Sequence, residues 1–441
     1  MARHPPPSKL GHPQRASRRA RAVADTRGGL RLVVDGSRHI TGLVEALHGQ
    51  IQRLAPPLRG GDAKGQPARA DDSDGLPRTR GLTGLVYRGI QGGMRLVGGG
   101  LDGLLAPFDS ALEASPSSPR RDALVAALNG VLGDHLLRSG NALAIRMQLR
   151  QHGQPLDLAS LGAGLADKGV PRRVLLLVHG LCMSDVGWQR NGHDHGQWLG
   201  RALGLAPIYA YYNSGRHISD NGRALADALE QLVADWPGPL DEIVIVGHSM
   251  GGLVARSALA QAAEAGQQWP QKLHQLVFLG TPHHGAPLER AGNWLHRVMD
   301  LSPYMAPFTR LSRLRSEGIT DLRHGNLLAS DWQGSSRFHH GDRRTPVALP
   351  AGLACYAIAS TAGAPGSSGS LLGDGLVPVD SALGHHKRRA LNLGIPASHQ
   401  WLGHGIHHLD LLSDPAVYRR LLSWLSPLGQ SAVTVRTDSA Q

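Results

Sequence analysis

The chain has 441 residues, of which 41% are hydrophobic and 4% aromatic, and 46 Lys and Arg against 34 Asp and Glu give it a formal charge of +12. The hydrophobic fraction excludes wholesale disorder, and two cysteines, Cys182 and Cys355, exclude a disulfide scaffold. No run of 18 apolar residues occurs, so the sequence predicts no transmembrane helix.

The N-terminal arm is basic, with fifteen Lys and Arg against seven Asp and Glu in residues 1–80. Residues 1–36 lack the apolar segment of a secretory signal, so we expect a cytoplasmic protein, with secretion by another route left open. We interpret residues 1–36 as a flexible tail. A surface that binds nucleic acid would need aromatic residues among the basic ones, on which bases can stack, and this arm has none. Peripheral contact with an anionic membrane is the alternative, and no specific nucleic-acid partner is expected.

A helical extension is predicted over residues 37–139. It comprises an amphipathic helix at 37–54, a flexible linker at 55–80, a glycine-rich helical seam at 86–108 and a helix that begins at Pro119. Glycine weakens the seam by up to about 1 kcal/mol per position, so the seam needs a partner surface. Packing on the body of the protein is favoured over contact with lipid.

The hydrophobic period changes at residue 140. A β-hairpin around Gly153 is followed by short apolar runs that alternate with helical ones, such as the helix at 222–236. The apolar runs occupy residues 174–178, 208–212, 243–246, 276–279 and 353–358. This alternation predicts an α/β domain over residues 140–426, with a mostly parallel sheet covered by helices on both faces, and a flexible tail at 427–441.

The sharpest local signal is the stretch GHSMGG at 247–252, between a predicted buried strand and a helix. A serine hydroxyl becomes an effective nucleophile when it is exposed at a tight turn beside a base, and the flanking glycines permit such a turn. The pattern therefore predicts Ser249 as a nucleophile, in preference to a structural turn serine.

Acyl transfer also needs donors for the developing oxyanion. The stretch HGLC at 179–182 follows the first long strand, and the backbone N–H groups of Leu181 and Met250 are the candidates. His179 is interpreted as ordering this loop rather than as a base.

With these motifs the sequence resembles the α/β-hydrolase superfamily, and within it the bacterial triacylglycerol lipases and GPI-inositol-deacylase-like serine esterases. The resemblance covers residues 140–426, and its motifs are LVHGL at 177–181, GHSMGGLVAR at 247–256, GTPHHG at 280–285, GDGLVP at 373–378 and HHLDLL at 407–412. It implies an α/β-hydrolase fold in which residues 286–345 form a helical cap or lid. Whether this insertion moves or is a fixed roof stays open.

The resemblance also implies the remaining site residues. Asp374 matches the family's acid, with Asp380 as the alternative, and His408 matches its base, with His407 as the alternative. Candidates for substrate binding are His248, Thr281 in the GTPHHG motif and Trp294 in the apolar insertion.

These features predict a serine hydrolase that cleaves carboxylic esters of hydrophobic acyl groups, with a lipid or other hydrophobic ester as its substrate. No cofactor is required by this chemistry. No metal site is predicted, because the paired histidines lack metal-ligand spacing. An acyltransferase with the same triad, and a non-catalytic adaptor that binds membrane or nucleic acid, are the alternatives, and the oligomeric state is left open.

Overall fold

The computed structural model describes residues 119–159, 169–286, 316–334, 344–366 and 373–426 of the chain. The predicted tails, the linker and the two helices before residue 110 lie outside these ranges. The strands are β1 Gln148–Gln151, β2 Gln154–Pro155, β3 Arg173–Val178, β4 Ala206–Tyr211, β5 Glu242–His248, β6 Leu273–Leu279, β7 Ala354–Thr361 and β8 Gln400–His404. The α-helices are α1 Pro119–Arg138, α2 His195–Leu203, α3 Ile218–Asp235, α4 Met250–Ala265, α5 Glu317–His324, α6 Val379–Leu383 and α7 Pro415–Leu425. None of the helices in the described ranges is long and apolar enough to cross a lipid bilayer.

The strands form one sheet in the order β2-β1-β4-β3-β5-β6-β7-β8. Strand β1 is antiparallel to both neighbours, and the pairs from β4 through β8 are parallel. The predicted mostly parallel sheet is therefore confirmed.

Helices cover both faces of this sheet. Leu176 of β3 belongs to the core beneath α3 and α4, whereas Leu175 and Leu177 belong to the core beneath α2 and α7. Because successive side chains of a strand point to opposite faces, a strand covered on both sides is apolar throughout. This is why the predicted central strands are continuous apolar runs.

The hairpin lies slightly later in the chain than predicted. Its turn residues His152 and Gly153 have φ values of 52° and 75°, the positive values that a tight two-residue turn requires. The strands adjoin this turn directly. The first strand was predicted from the alternation of Leu143, Ile145, Met147 and Leu149, and only Leu149 of these lies in β1.

Two of the predicted helices that lie in the described ranges are α1 and α7. Helix α1 spans Pro119–Arg138, and its Ala127 and Val131 lie in the same core as β3. Helix α7 begins at Pro415, where the Asp414 side chain accepts hydrogen bonds from the N–H groups of the next residues in the first turn. The chain divides after Pro116, so α1 belongs to the unit that contains the sheet. The domain boundaries drawn from the sequence stay predictions.

Strand β8 and helix α2 were not predicted. Strand β8 has the sequence QWLGH and lies half-exposed at the sheet edge, so it lacks the continuous apolar run of the central strands. Helix α2 contains two glycines within nine residues. Of the predicted cap, the described ranges include α5 and a short 3-10 helix at Ala329–Asp331, and Trp294 lies outside them.

Candidate active site

Ser249 occupies a sharp turn between β5 and α4. Its φ and ψ are 53° and −124°, a backbone conformation that costs a non-glycine residue about 1–3 kcal/mol. The backbone around this turn is closely packed: a Cβ at Gly251 would lie 2.1 Å from the carbonyl oxygen of Val178, so no side chain fits there. The N–H of Ser249 donates to the carbonyl of Leu279 over 2.9 Å and fixes the turn against β6. The elbow thus presents the serine at the carboxyl ends of the parallel strands.

Asp374 and His408 form a buried pair. The Nδ1 of His408 lies 2.7 Å from the Oδ2 of Asp374, and the side chains are 3% and 1% exposed. A carboxylate accepts this bond, so Nδ1 carries the proton and Nε2 is left with a lone pair. The pair therefore holds the imidazole in the tautomer that can take a proton from a hydroxyl.

The carboxylate of Asp374 is itself held in place. Its Oδ1 accepts hydrogen bonds from the N–H groups of Leu376 and Val377, over 3.0 and 2.9 Å, and Ser360 lies 3.5 Å from Oδ2. Sequence reasoning did not assign these partners. The turn could have been found, because Asp followed by Gly favours a side chain that bonds to the backbone two or three residues on.

Ser249 and His408 line one cleft. Its other described lining residues are mostly apolar: Gly180, Leu181, Met183, His248, Pro282, Ala286, Leu322, Leu376, Val377 and Leu409. The structure therefore brings the candidate nucleophile and the candidate base to the same small space. The catalytic roles assigned to Ser249, Asp374 and His408 stay predictions.

His248 supports the loop that carries His408. Its Nε2 donates to the backbone carbonyl of His408 over 3.2 Å, and its ring is buried. Burial and the neighbouring His408 lower the pKa of His248 well below its ordinary value, so the ring is neutral. Although His248 lines the cleft, its described contacts are those of a residue that positions the candidate base.

Thr281 lies beneath the elbow rather than in the described lining of the cleft. It is fully buried, and a Cβ at Gly252 would lie 2.1 Å from its Oγ1. The hydroxyl is 3.5 Å from the carbonyl oxygen of Gly247. Its predicted contact with substrate stays a prediction.

The two candidate oxyanion donors belong to the start of α4 and to the loop after β3. Met250 is the first residue of α4, so its N–H has no helical acceptor. Leu181 lies in the loop after β3, where a Cβ at Gly180 would approach the Cβ of Ser249 to 3.0 Å. The donor roles of both amides stay predictions.

Contacts on both sides hold the loop after β3. His179 donates from Nδ1 to the carbonyl of Gly180 over 2.8 Å and stacks on Tyr212 at 4.3 Å. Burial lowers the pKa of His179 to about 4. Cys182 has a φ of 60°, and its N–H donates to Ser214 over 3.0 Å. A neutral, buried His179 that orders the loop fits these contacts.

The alternative acid and base lie apart from the cleft. The side chain of Asp380 is 84% exposed and lies 3.5 Å from His385. His407 is exposed, and its backbone N–H donates to Asp410 over 3.3 Å. Neither residue is in the cleft lining.

Within the described ranges, no group of three or more His, Cys, Asp or Glu side chains could hold a metal ion. Cys182 and Cys355 are both buried free thiols, and burial raises the pKa of each to about 12.

Two comparisons match parts of the chain. Residues 210–348 match the PGAP1-like alpha/beta domain. A stretch of 71 residues is 31% identical to the GPI inositol-deacylase of Emericella nidulans, and this match spans 16% of the chain but 6% of that protein's length.

Solved structures with a similar fold include the mature form of Bacillus licheniformis lipase BlEst2, at 16% identity, a TM-score of 0.40 and coverage of 64% of this chain and 98% of that one. EstA from Clostridium botulinum follows at 14% identity, a TM-score of 0.36 and coverage of 61% and 91%. The matched domain and the sheet order together confirm the resemblance inferred from the sequence: the chain has an α/β-hydrolase fold, and its residues 210–348 are similar to the PGAP1-like alpha/beta domain.

Proposed function

We propose that this protein is a serine hydrolase that cleaves carboxylic esters of hydrophobic acyl groups. One observation carries the proposal: the imidazole of His408, bonded to Asp374 at 2.7 Å, lines the same cleft as Ser249 on its strained elbow. The match to the PGAP1-like alpha/beta domain supports ester hydrolysis over a non-catalytic role.

In the proposed reaction, the Ser249 hydroxyl attacks the ester carbonyl while Nε2 of His408 takes its proton. Asp374 keeps Nδ1 protonated and stabilises the imidazolium that forms. The N–H groups of Leu181 and Met250 donate to the oxyanion. His408 then returns the proton to the departing alcohol, and water resolves the acyl-enzyme by the same steps in reverse order.

The described lining supports an apolar acyl group. Leu322, Leu376 and Leu409 contribute side chains to the cleft, and none of the lining residues carries a permanent charge. The relative in Emericella nidulans is named as a deacylase of GPI inositol, which supports a lipid-linked ester as the substrate class. Contact of the basic N-terminal arm with an anionic membrane stays part of this proposal, since the arm lies outside the described residues.

The test is hydrolysis of p-nitrophenyl esters of increasing acyl length by wild type, Ser249→Ala and the control Ser330→Ala, an exposed serine away from the cleft. Each protein is also treated with a serine-directed fluorophosphonate. We expect turnover and labelling in wild type and Ser330→Ala, and loss of both in Ser249→Ala. An added acceptor alcohol that diverts most acyl groups into a new ester would identify a transferase, and a wild type that neither labels nor turns over any ester would overturn the proposal.

A further inference from the structure

The backbone of Cys182 has an unusual conformation beside the catalytic cleft, the one that Ser249 lines. Its φ is 60°, a positive value that it shares in the described ranges with the non-glycine residues His152, Asn191 and Ser249. His152 and Asn191 are exposed, whereas Cys182 is buried and directly follows Leu181, which also lines the cleft. Such a conformation costs a non-glycine residue about 1–3 kcal/mol and persists only when the surroundings hold it. The contacts of Cys182 therefore decide the shape of this loop.

The turn at Cys182 fixes the direction of a neighbouring peptide group. In this turn the N–H of Met183 donates to the carbonyl of Gly180 over 3.4 Å, and Nδ1 of His179 donates to the same carbonyl over 2.8 Å. The carbonyl of Gly180 and the N–H of Leu181 belong to one planar trans peptide, so they point in opposite directions. The two donors that hold the carbonyl therefore also fix the direction of the Leu181 N–H, the candidate oxyanion donor.

Helix α1 contacts Cys182 through a glycine. A Cβ at Gly130 of α1 would lie 2.2 Å from the sulfur of Cys182 and 2.9 Å from its Cα, so no side chain fits at position 130 unless the turn moves. A glycine inside a helix costs about 1 kcal/mol relative to alanine, and here it permits the close approach of α1 to the loop. The N–H of Cys182 donates to the hydroxyl of Ser214 over 3.0 Å. The thiol and the backbone of Cys182 are thus both held from outside the loop.

The same helix supports the segment that contains Ser214. The carbonyl of Gly133 in α1 accepts a hydrogen bond from Nδ2 of Asn213 over 2.9 Å, and a Cβ at Gly133 would lie 1.8 Å from Oδ1 of that side chain. That Oδ1 accepts a hydrogen bond from the N–H of Gly215 over 3.1 Å. Two glycines of one helix thus bring α1 against Cys182 itself and against the segment that binds its N–H.

We propose that α1 is a positioning element of the proposed active site: through Gly130 it holds Cys182 in its turn and so directs the Leu181 N–H at the oxyanion. This inference rests on the proposed function, in which Leu181 is an oxyanion donor. It makes a helix that precedes the predicted catalytic domain 140–426 part of the support of the active site. An oxyanion donor acts on charge that develops only in the transition state, so a displaced donor lowers kcat and kcat/KM by the same factor.

The test moves a methyl group from one side of this contact to the other. Gly130→Ala adds a methyl group that displaces Cys182. Cys182→Gly removes Cβ and Sγ and adopts the φ of 60° without strain, so the double variant Gly130→Ala/Cys182→Gly makes room for the added methyl group. The control Ala126→Gly weakens α1 by about 1 kcal/mol at a buried position in a separate apolar cluster with Ile145 and Tyr211. Hydrolysis of one p-nitrophenyl ester is measured on the full chains, and urea unfolding establishes that each is folded.

We expect Gly130→Ala to lose at least about tenfold in both kcat and kcat/KM, since complete loss of an oxyanion donor costs about 10²- to 10³-fold. The double variant should regain most of this loss, and Ala126→Gly should stay within about twofold of wild type. A trifluoromethyl ketone that forms a hemiketal oxyanion with Ser249 should bind Gly130→Ala more weakly, by a factor similar to the loss in kcat/KM. The corresponding alcohol forms no oxyanion and should bind both proteins equally.

A folded Gly130→Ala protein with the kcat of wild type would overturn the inference. An equal loss in Ala126→Gly would also overturn it, because the stability of α1 rather than its contact with Cys182 would then set the activity. If Gly130→Ala does not fold, Ser214→Ala replaces it, removes the acceptor of the Cys182 N–H and should lower kcat in the same direction, and an unchanged kcat would count against the inference. A wild type without ester turnover would instead overturn the proposed function.

Discussion

Two histidine–aspartate pairs of nearly the same geometry occur in the described part of the molecule. His408 lies 2.7 Å from Asp374, and His217 lies 2.9 Å from Asp321, in each case from Nδ1 to Oδ2. Both carboxylates are buried and also accept backbone N–H groups, in the second pair that of Ile218 over 2.8 Å. The hydrogen bond at Nδ1 therefore does not distinguish a general base from a structural histidine.

The two pairs differ in what surrounds the rest of the histidine ring. The ring of His408 lines the cleft that contains Ser249. The ring of His217 is stacked on Trp332 with centroids 3.7 Å apart, and its Nε2 lies 3.9 Å from the carboxylate of Glu317. We therefore expect the first pair to exchange a proton with the Ser249 hydroxyl, whereas the second ties the start of α3 to α5.

The largest difference in kcat is expected between the variants His408→Asn and His217→Asn. Removing the base of a serine triad costs about 10⁴-fold or more in kcat, so His408→Asn should be nearly inactive. His217→Asn should stay within about threefold of wild type, because the ring faces no reacting group. Ester hydrolysis under saturating substrate measures both, and equal losses in the two variants would contradict the comparison.

Asp374→Asn and Asp321→Asn test the carboxylates. An amide at 374 can donate to Nδ1 and so favours the wrong imidazole tautomer, for which a loss of about 10⁴-fold in kcat is expected. Asp321→Asn instead weakens bonds from His217, Ile218 and Asn326, and should cost about 1–3 kcal/mol of unfolding free energy. Urea unfolding and kcat are measured on both variants, and a stable but inactive Asp321→Asn protein would refute the structural role.

The pH dependence of stability gives the next largest effect. Burial lowers the pKa of His217, but the hydrogen bond and charge of Asp321, with Glu317 and Asp220, outweigh it and raise the pKa above its ordinary value. A raised pKa in the folded state means that the pair's stabilisation is complete below about pH 6.5 and is lost as the pH rises through the folded-state pKa.

The measurement is the difference in unfolding free energy between wild type and His217→Asn from pH 5.5 to 8.5. This difference should shrink as the pH rises. Buried histidines with lowered pKa values, such as His179 and His195, give the opposite trend, but they are present in both proteins and cancel. A difference that is constant across this range would show that His217 does not titrate with a raised pKa.

The sequence was informative where one local rule decides the structure. The central strands follow from continuous apolar runs, and the elbow at Ser249 follows from glycines between a strand and a helix. Strand β8 was missed because an edge strand needs neither an apolar run nor alternation, and its pairing with β7 is set by tertiary contacts. Local pattern alone carries no such information.

Contacts between distant parts of the chain also could not be predicted from the sequence. The chain positions of Asp374 and His408 suggested a pair only through family resemblance, since 34 residues separate them. Nothing in the sequence suggested the pair of His217 and Asp321, which lie 104 residues apart. Tertiary packing decides which side chains are buried and which groups they contact. The two histidine–aspartate pairs therefore share the same hydrogen bond but differ in what surrounds the histidine ring.

The smallest changes in kcat are expected from substitutions of the alternative acid and base, Asp380 and His407. Both are exposed and lie outside the lining of the catalytic cleft, and the carboxylate of Asp380 is near His385 rather than His408. Asp380→Asn and His407→Asn should therefore keep kcat within about twofold of wild type, as surface substitutions generally do. His407 is the sharper case, because it adjoins His408 in the chain and matches it in chemistry. If His407→Asn lost nearly as much kcat as His408→Asn, the loop could present either imidazole to Ser249. The hydrogen bond to Asp374 would then not be what makes His408 the base.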